Sequence, residues 1–194
     1  MLSLDKKPRI CWWLTVRRGG GVSDAEAMLD QILLDMKVPT TTVDVADENA
    51  EFPALNHYST IVVAMPNLDR LGEHVLQIMQ WAKKGGGVMF AMTPEKTGYL
   101  DVIGPQIGIE SSTYEYVATE GITPSEDFML GGGQTYTFSD PFKSSLSVAL
   151  NDRAQVEAVS SKGRTPLVWR TAVESGTAVM CNIGIYGKVF RGFY

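Results

Sequence analysis

Cysteine and histidine are scarce in this sequence: Cys11, Cys181, His57 and His74 are all there are among 194 residues. Two thiols lying inside apolar runs serve packing more readily than a disulfide framework; this leaves the redox compartment open, leaning reducing. With so few imidazoles and thiols, no His/Cys cluster has the spacing of a metal site. No apolar stretch approaches the ~20 residues that a membrane-crossing helix needs, and Met1 to Pro8 lack the apolar core of a signal peptide. Membrane insertion is therefore not expected, and the cytoplasm is favoured. No basic run exceeds two residues and the formal net charge is -5, so nucleic acid is not an expected partner.

What remains is ordinary globular material, 44% hydrophobic and 20% charged. A chain of this length buries roughly 70% of the surface its unfolded form exposes, enough for one full-sized core. No repeat, low-complexity segment or linker divides it, so residues 1–194 are read as a single domain.

The segment from Arg9 to Val16 is nearly all apolar or β-branched, the pattern of a strand covered on both faces. Ser23 and Glu26 have capping-box spacing, and Met28, Leu29, Ile32, Leu33 and Met36 recur at helical spacing before Pro39. Strands are predicted over 40–47, 60–65 and 88–92. A helix over 72–84 presents Val75, Leu76, Met79 and Ala82 on one side and is closed by Gly85, Gly86 and Gly87. Strands alternating with helices at this spacing call for right-handed crossovers and parallel pairing. After Thr93 the pattern changes to a short helix near 99–104 and strands at 113–119 and 134–138 in a loop-rich insertion. Further strands follow at 146–150, 155–160, 166–170 and 176–183, read as antiparallel additions. The fold class is α/β: a three-layer sandwich with a mostly parallel central sheet and antiparallel additions from the C-terminal third.

This order of elements resembles the class I glutamine-amidotransferase-like superfamily, a flavodoxin-like fold. The features that carry the resemblance are the strand from Tyr58 to Val63 leading into Met65-Pro66-Asn67, a helix, then Trp81 to Phe90 with its three glycines, and the closing strand from Gly176 to Asn182. In active members of that superfamily the turn after the strand equivalent to 88–92 carries a nucleophilic Cys, activated by a His that follows a late strand. Here the turn reads Ala91-Met92-Thr93-Pro94-Glu95, and neither His57 nor His74 follows a late strand. The resemblance therefore implies a degenerate member without that chemistry. The tail, with Asn182 followed by Lys188 and Arg191-Gly192, also resembles the exit toward a polysaccharide-deacetylase-like module in bacterial exopolysaccharide proteins. That implies a noncatalytic accessory domain with a covalently linked catalytic partner.

In an open parallel sheet ligands bind outside the carboxyl ends of the strands. Arg17, Arg18, Gly19, Gly20, Gly21 and Ser23 lie in one such loop, where guanidinium groups, unobstructed amides and a helix start suit a phosphate, sulfate or carboxylate. The plainer alternative is an exposed loop with an ordinary cap. Asn67 and Asp69 follow the third strand, Thr93 and Glu95 the fourth, and such groups suit a sugar or another polar ligand. Asp69 and Glu95 also define the rival reading, a carboxylate-dependent hydrolase of a small polar or carbohydrate substrate; capping and loop hydrogen bonds explain the same residues. Asp44 and Asp47 stand where ribose-binding acids sit in dinucleotide folds, but the first loop lacks the Gly-x-Gly-x-x-Gly pattern, so no NAD and no other cofactor is expected. Tyr114, Tyr116, Phe128, Tyr136 and Phe138 make either a sugar-stacking platform or loop packing. The sequence sets no oligomeric state.

Overall fold

A computed structural model describes residues 13–17, 24–127, 132–162 and 165–183. The chain forms β1 (Trp13–Arg17), α1 (Asp24–Asp35), β2 (Thr40–Asp44), β3 (Thr60–Val63), α2 (His74–Lys83), β4 (Gly87–Phe90), α3 (Gly98–Ile103), β5 (Ile109–Pro124), β6 (Tyr136–Leu150), β7 (Ala154–Ser160), β8 (Pro166–Val173) and β9 (Gly176–Cys181). Short 3₁₀ turns at Leu55–His57 and Leu68–Leu71 precede β3 and α2. The result is a mixed α/β protein with few helices and one large sheet in the order β2-β1-β3-β4-β9-β8-β7-β5-β6.

The sheet divides into two halves. β2, β1, β3, β4 and β9 pair in parallel, while β9-β8, β8-β7, β7-β5 and β5-β6 are antiparallel. The expectation of a mostly parallel sheet therefore holds for one half alone. The reason lies in 109–150. Instead of short strands in a loop-rich insertion, β5 and β6 form a long antiparallel pair whose register shifts four times between Ile109 and Gly121. Each shift breaks the two-residue alternation by which a strand is read from sequence, and lets so long a ribbon bend along the sheet's end.

Alternate residues of the parallel strands serve opposite faces. Leu14, Val16, Ile61, Val63, Val88 and Phe90 share one core with Val75, Ile78, Met79 and Ala82 of α2. On the other face, Leu33 of α1 packs with Val62, Ala64 and Ala91. The four α2 residues recur at i, i+3, i+4 and i+7; Val75, Met79 and Ala82 lie on the face expected from the sequence, whereas Leu76, expected beside them, is exposed and Ile78 takes the inward position. The helix does not start at Gly72: that glycine has φ +55 and closes the 3₁₀ turn at Leu68–Leu71 before α2 begins at His74. Trp169, fully buried, donates from Nε1 to the Ile107 carbonyl at 2.8 Å and ties the antiparallel half to the end of the helical segment.

Connections between parallel strands run over the faces, but the β2-to-β3 crossover carries no α-helix. Residues 45–59 make the passage with one 3₁₀ turn, and Val45, Phe52, Leu55 and Tyr58 pack, partly buried, against the α2-side core. A thin crossover covers less of the sheet than a helix would.

Candidate functional site

The parallel strands point their carboxyl ends toward the segments 64–72 and 91–97, as the doubly wound order requires. Strand pairing continues one step past the regular ladder: Ala64 donates to the Val16 carbonyl at 2.9 Å and Ala91 to that of Val63 at 3.0 Å. Beyond it the two loops are joined directly. Glu95 N–H donates to the Pro66 carbonyl at 2.8 Å, and Asn67 Nδ2 donates to Glu95 Oε2 at 2.8 Å. Pro66 and Pro94 cannot donate through their own nitrogens, so the cross-loop bonding falls to their neighbours.

Asn67 and Glu95 are thus brought together. Asn67 Oδ1 and Thr93 Oγ1, on the same two loops, are shielded and have no hydrogen-bond partner. Asp69 is engaged elsewhere, with its Oδ2 accepting from the Gly98 amide at 3.2 Å and its Oδ1 from the Tyr99 amide at 3.0 Å. With Thr97 Oγ1 accepting from Leu100 at 3.1 Å, this satisfies three amides of the first turn of α3. Asp69 therefore anchors a helix start.

Sequence reasoning gave Tyr116 as one aromatic among several; the structure sets it against this loop. The Tyr116 hydroxyl donates to the Pro94 carbonyl at 3.0 Å. Burial, and then the Glu95 carboxylate, push the phenol pKa above its ordinary value, against an opposing hydrogen bond from the Lys96 backbone. Lys96 Nζ stands 4.7 Å from the centre of the Tyr114 ring, a cation–π contact. Tyr114 itself has φ +57, at one of the β5 register shifts. No local pattern signals that these tyrosines meet residues 94–96; the contact depends on how β5 bends.

Of the first-loop candidates, Arg17 pairs with Asp30 of α1, NH1 to Oδ2 at 3.2 Å. Arg18, Gly19, Gly20, Gly21 and Ser23 lie outside the described residues, as do Phe128, Cys11 and Trp12. Cys181 is buried at the end of β9, and desolvation pushes its thiol up to about 12. His57 lies exposed in the 3₁₀ turn before β3, and His74 stacks on Phe52. Among the described residues there is no thiol–imidazole pair, no group of three or more His, Cys, Asp or Glu poised to hold a metal ion, and no helix long and apolar enough to cross a membrane.

Solved structures share this architecture at low sequence identity. A cytoplasmic protein, STM1381 from Salmonella typhimurium LT2, aligns with TM-score 0.71 at 13% identity over 93% of this chain and 91% of that one. A β-galactosidase from Bacillus circulans sp. alkalophilus aligns with TM-score 0.64 at 13% identity, over 88% of this chain but 28% of the enzyme. The exo-β-1,4-mannosidase Op5Man5 from Opitutaceae bacterium strain TAV5 aligns with TM-score 0.60 at 15% identity, over 88% and 31% respectively. The chain thus spans about a third or less of either glycosidase. These likenesses describe the fold. No curated protein matches the sequence. A family model does match, over residues 15–147 and so over well more than half of the chain: the protein belongs to DUF2194, a family described as an uncharacterised protein conserved in bacteria.

Proposed function

We propose that this chain is a noncatalytic, amidotransferase-like binding or scaffold domain that serves a larger carbohydrate-modifying system, and that it holds a polar ligand at the loops after β3 and β4. One observation carries the reading. Asn67 and Glu95 are locked together across these loops while Asn67 Oδ1 and Thr93 Oγ1 remain shielded without partners, and among the described residues no activated nucleophile stands beside them. A shielded polar atom without a partner costs about 1–3 kcal/mol, which a ligand hydroxyl or amide returns by bonding to it once the two loops part to admit it. Helix α1 on one face and α2 on the other support a three-layer sandwich around the parallel half. The glycosidase neighbours, in which this fold is a minor part of the enzyme, support the accessory role. The exopolysaccharide connection rests on the sequence resemblance. The carboxylate-hydrolase alternative draws less support, since both Asp69 oxygens are taken by the start of α3.

The experiment is a thermal-shift and NMR titration of the chain against neutral sugars, sugar acids, nucleotides and phosphate, repeated with Asn67→Ala and Thr93→Val. Ligand-induced NMR shifts at residues 66–67 and 93–95 that disappear in both variants, with no turnover of any ligand, are the expected result. Turnover that is lost in Glu95→Gln establishes the hydrolase instead.

A further inference from the structure

A cavity of about 320 Å³ lies on the α2 side of the sheet, beyond β2. It exists because the β2-to-β3 crossover has no helix: the span from Val45 to Tyr58 leaves the carboxyl end of β2 and the start of α2 incompletely covered. Val43, Val45 and Phe52 supply apolar surface, His74 an imidazole, and Asp47, Asp69 and Arg70 charged groups. Phe52 and His74 are stacked with ring centres 4.0 Å apart at 14°, and His74 Nδ1 lies 3.1 Å from Gln77 Oε1, so this side of the cavity is held from behind by α2. Asn67, Thr93 and Glu95 are not among the lining residues, which separates this cavity from the site proposed above.

The charges are unequal in their engagement. Asp69, at the rim, has both oxygens bonded to amides of α3. Asp47 Oδ1 accepts from the Asn49 amide at 2.9 Å and from its side chain at 3.3 Å. Arg70 enters no ion pair among the described residues, so its guanidinium is the group free to meet a ligand. The volume is at the lower end of the roughly 300–1,000 Å³ of small-molecule pockets, too small for a dinucleotide and suited to one ring. The apolar surface takes the C–H face of that ring, Asp47 accepts from a hydroxyl, and Arg70 takes an anionic group. From this we infer that the cavity is a second ligand site, for a single pyranose ring that carries one anionic substituent.

Isothermal titration calorimetry of the 194-residue chain tests this with glucuronate, glucose-6-phosphate, glucose and inorganic phosphate. One anionic sugar per chain is expected to bind, at least about tenfold more tightly than glucose or inorganic phosphate. Whether glucuronate or glucose-6-phosphate is tighter tells a carboxylate from a phosphate source, and either preference supports the site. Arg70→Gln, an exposed position, is expected to weaken the anionic sugar by about tenfold or more, and Ala50→Phe at the rim to block it. Asn67→Ala leaves it unchanged. Equal affinity for glucose and glucuronate, indifference to Arg70→Gln, or loss of binding in Asn67→Ala each overturns the assignment.

Discussion

Asn182 imitates a strand for Leu146. Its Oδ1 accepts from the Leu146 amide at 2.8 Å and its Nδ2 donates to the Leu146 carbonyl at 2.8 Å, while the same Nδ2 donates to the Pro166 carbonyl at 2.9 Å. Both Asn182 and Leu146 are completely buried. One side chain thereby links the end of β9 to β6 and β8. Asn182→Leu keeps the size and removes all three bonds, leaving buried backbone groups without partners. Urea unfolding is expected to show a loss of about 3 kcal/mol or more.

Gly176 is required by its neighbours. A Cβ there would stand 2.0 Å from the Ala82 carbonyl oxygen and 2.4 Å from that of Gly86, backbone atoms at the end of α2 that have no freedom to move aside. Gly72 differs: its φ is +55, and no atom lies within 4 Å of where a Cβ would stand. Gly72→Ala is expected to cost about 2 kcal/mol, because φ +55 with ψ -139 lies outside the left-handed helical region that other residues visit, and Gly176→Ala distinctly more. Thermal unfolding of the two variants checks the order.

Asp69 is predicted to act on stability. Asp69→Ala removes the acceptors for Gly98 and Tyr99 and is expected to destabilise the chain by about 1 kcal/mol, as loss of a helix cap does. Hydrogen exchange should quicken at the first turn of α3 before elsewhere. Unchanged exchange there would show that the cap is dispensable.

Cys181 makes the fold sensitive to alkali. Its thiol is raised by burial from 9.0 to about 12. Below pH 9 both folded and unfolded chains hold the proton; above it the unfolded chain releases it first, so stability falls as pH rises from about 9 toward 12. The slope contributed by this group approaches about 1.4 kcal/mol per pH unit. Cys181→Ala should remove that part of the slope while lowering stability at neutral pH, measured by urea unfolding across the range.

Tyr116 reports on the loop bridge. Because burial is the larger cause of its raised pKa and Glu95 the second, Glu95→Gln should move the phenol only part of the way back. Ultraviolet difference titration reads the change. A complete return to the ordinary value would mean that the loop had come away from β5.

The sequence itself determined the parallel half. The continuous apolar run at Ile61 to Ala64 and the helical recurrence of Val75, Met79 and Ala82 depend on local periodicity, so burial on both faces of β3 and most of the inner face of α2 was readable in advance, although Leu76 was placed inward where Ile78 in fact lies. The cross-loop location of Asn67, Thr93 and Glu95 was legible for the same reason, because they follow the ends of parallel neighbours. Tertiary structure decided the rest. The long β5–β6 ribbon hides its register behind repeated shifts, and the contacts of Tyr116 with Pro94, Asp69 with α3, and Phe52 with His74 join segments about 22 to 30 residues apart. Such contacts follow from how strands bend and how a crossover runs, and those properties emerge only when the whole sheet packs.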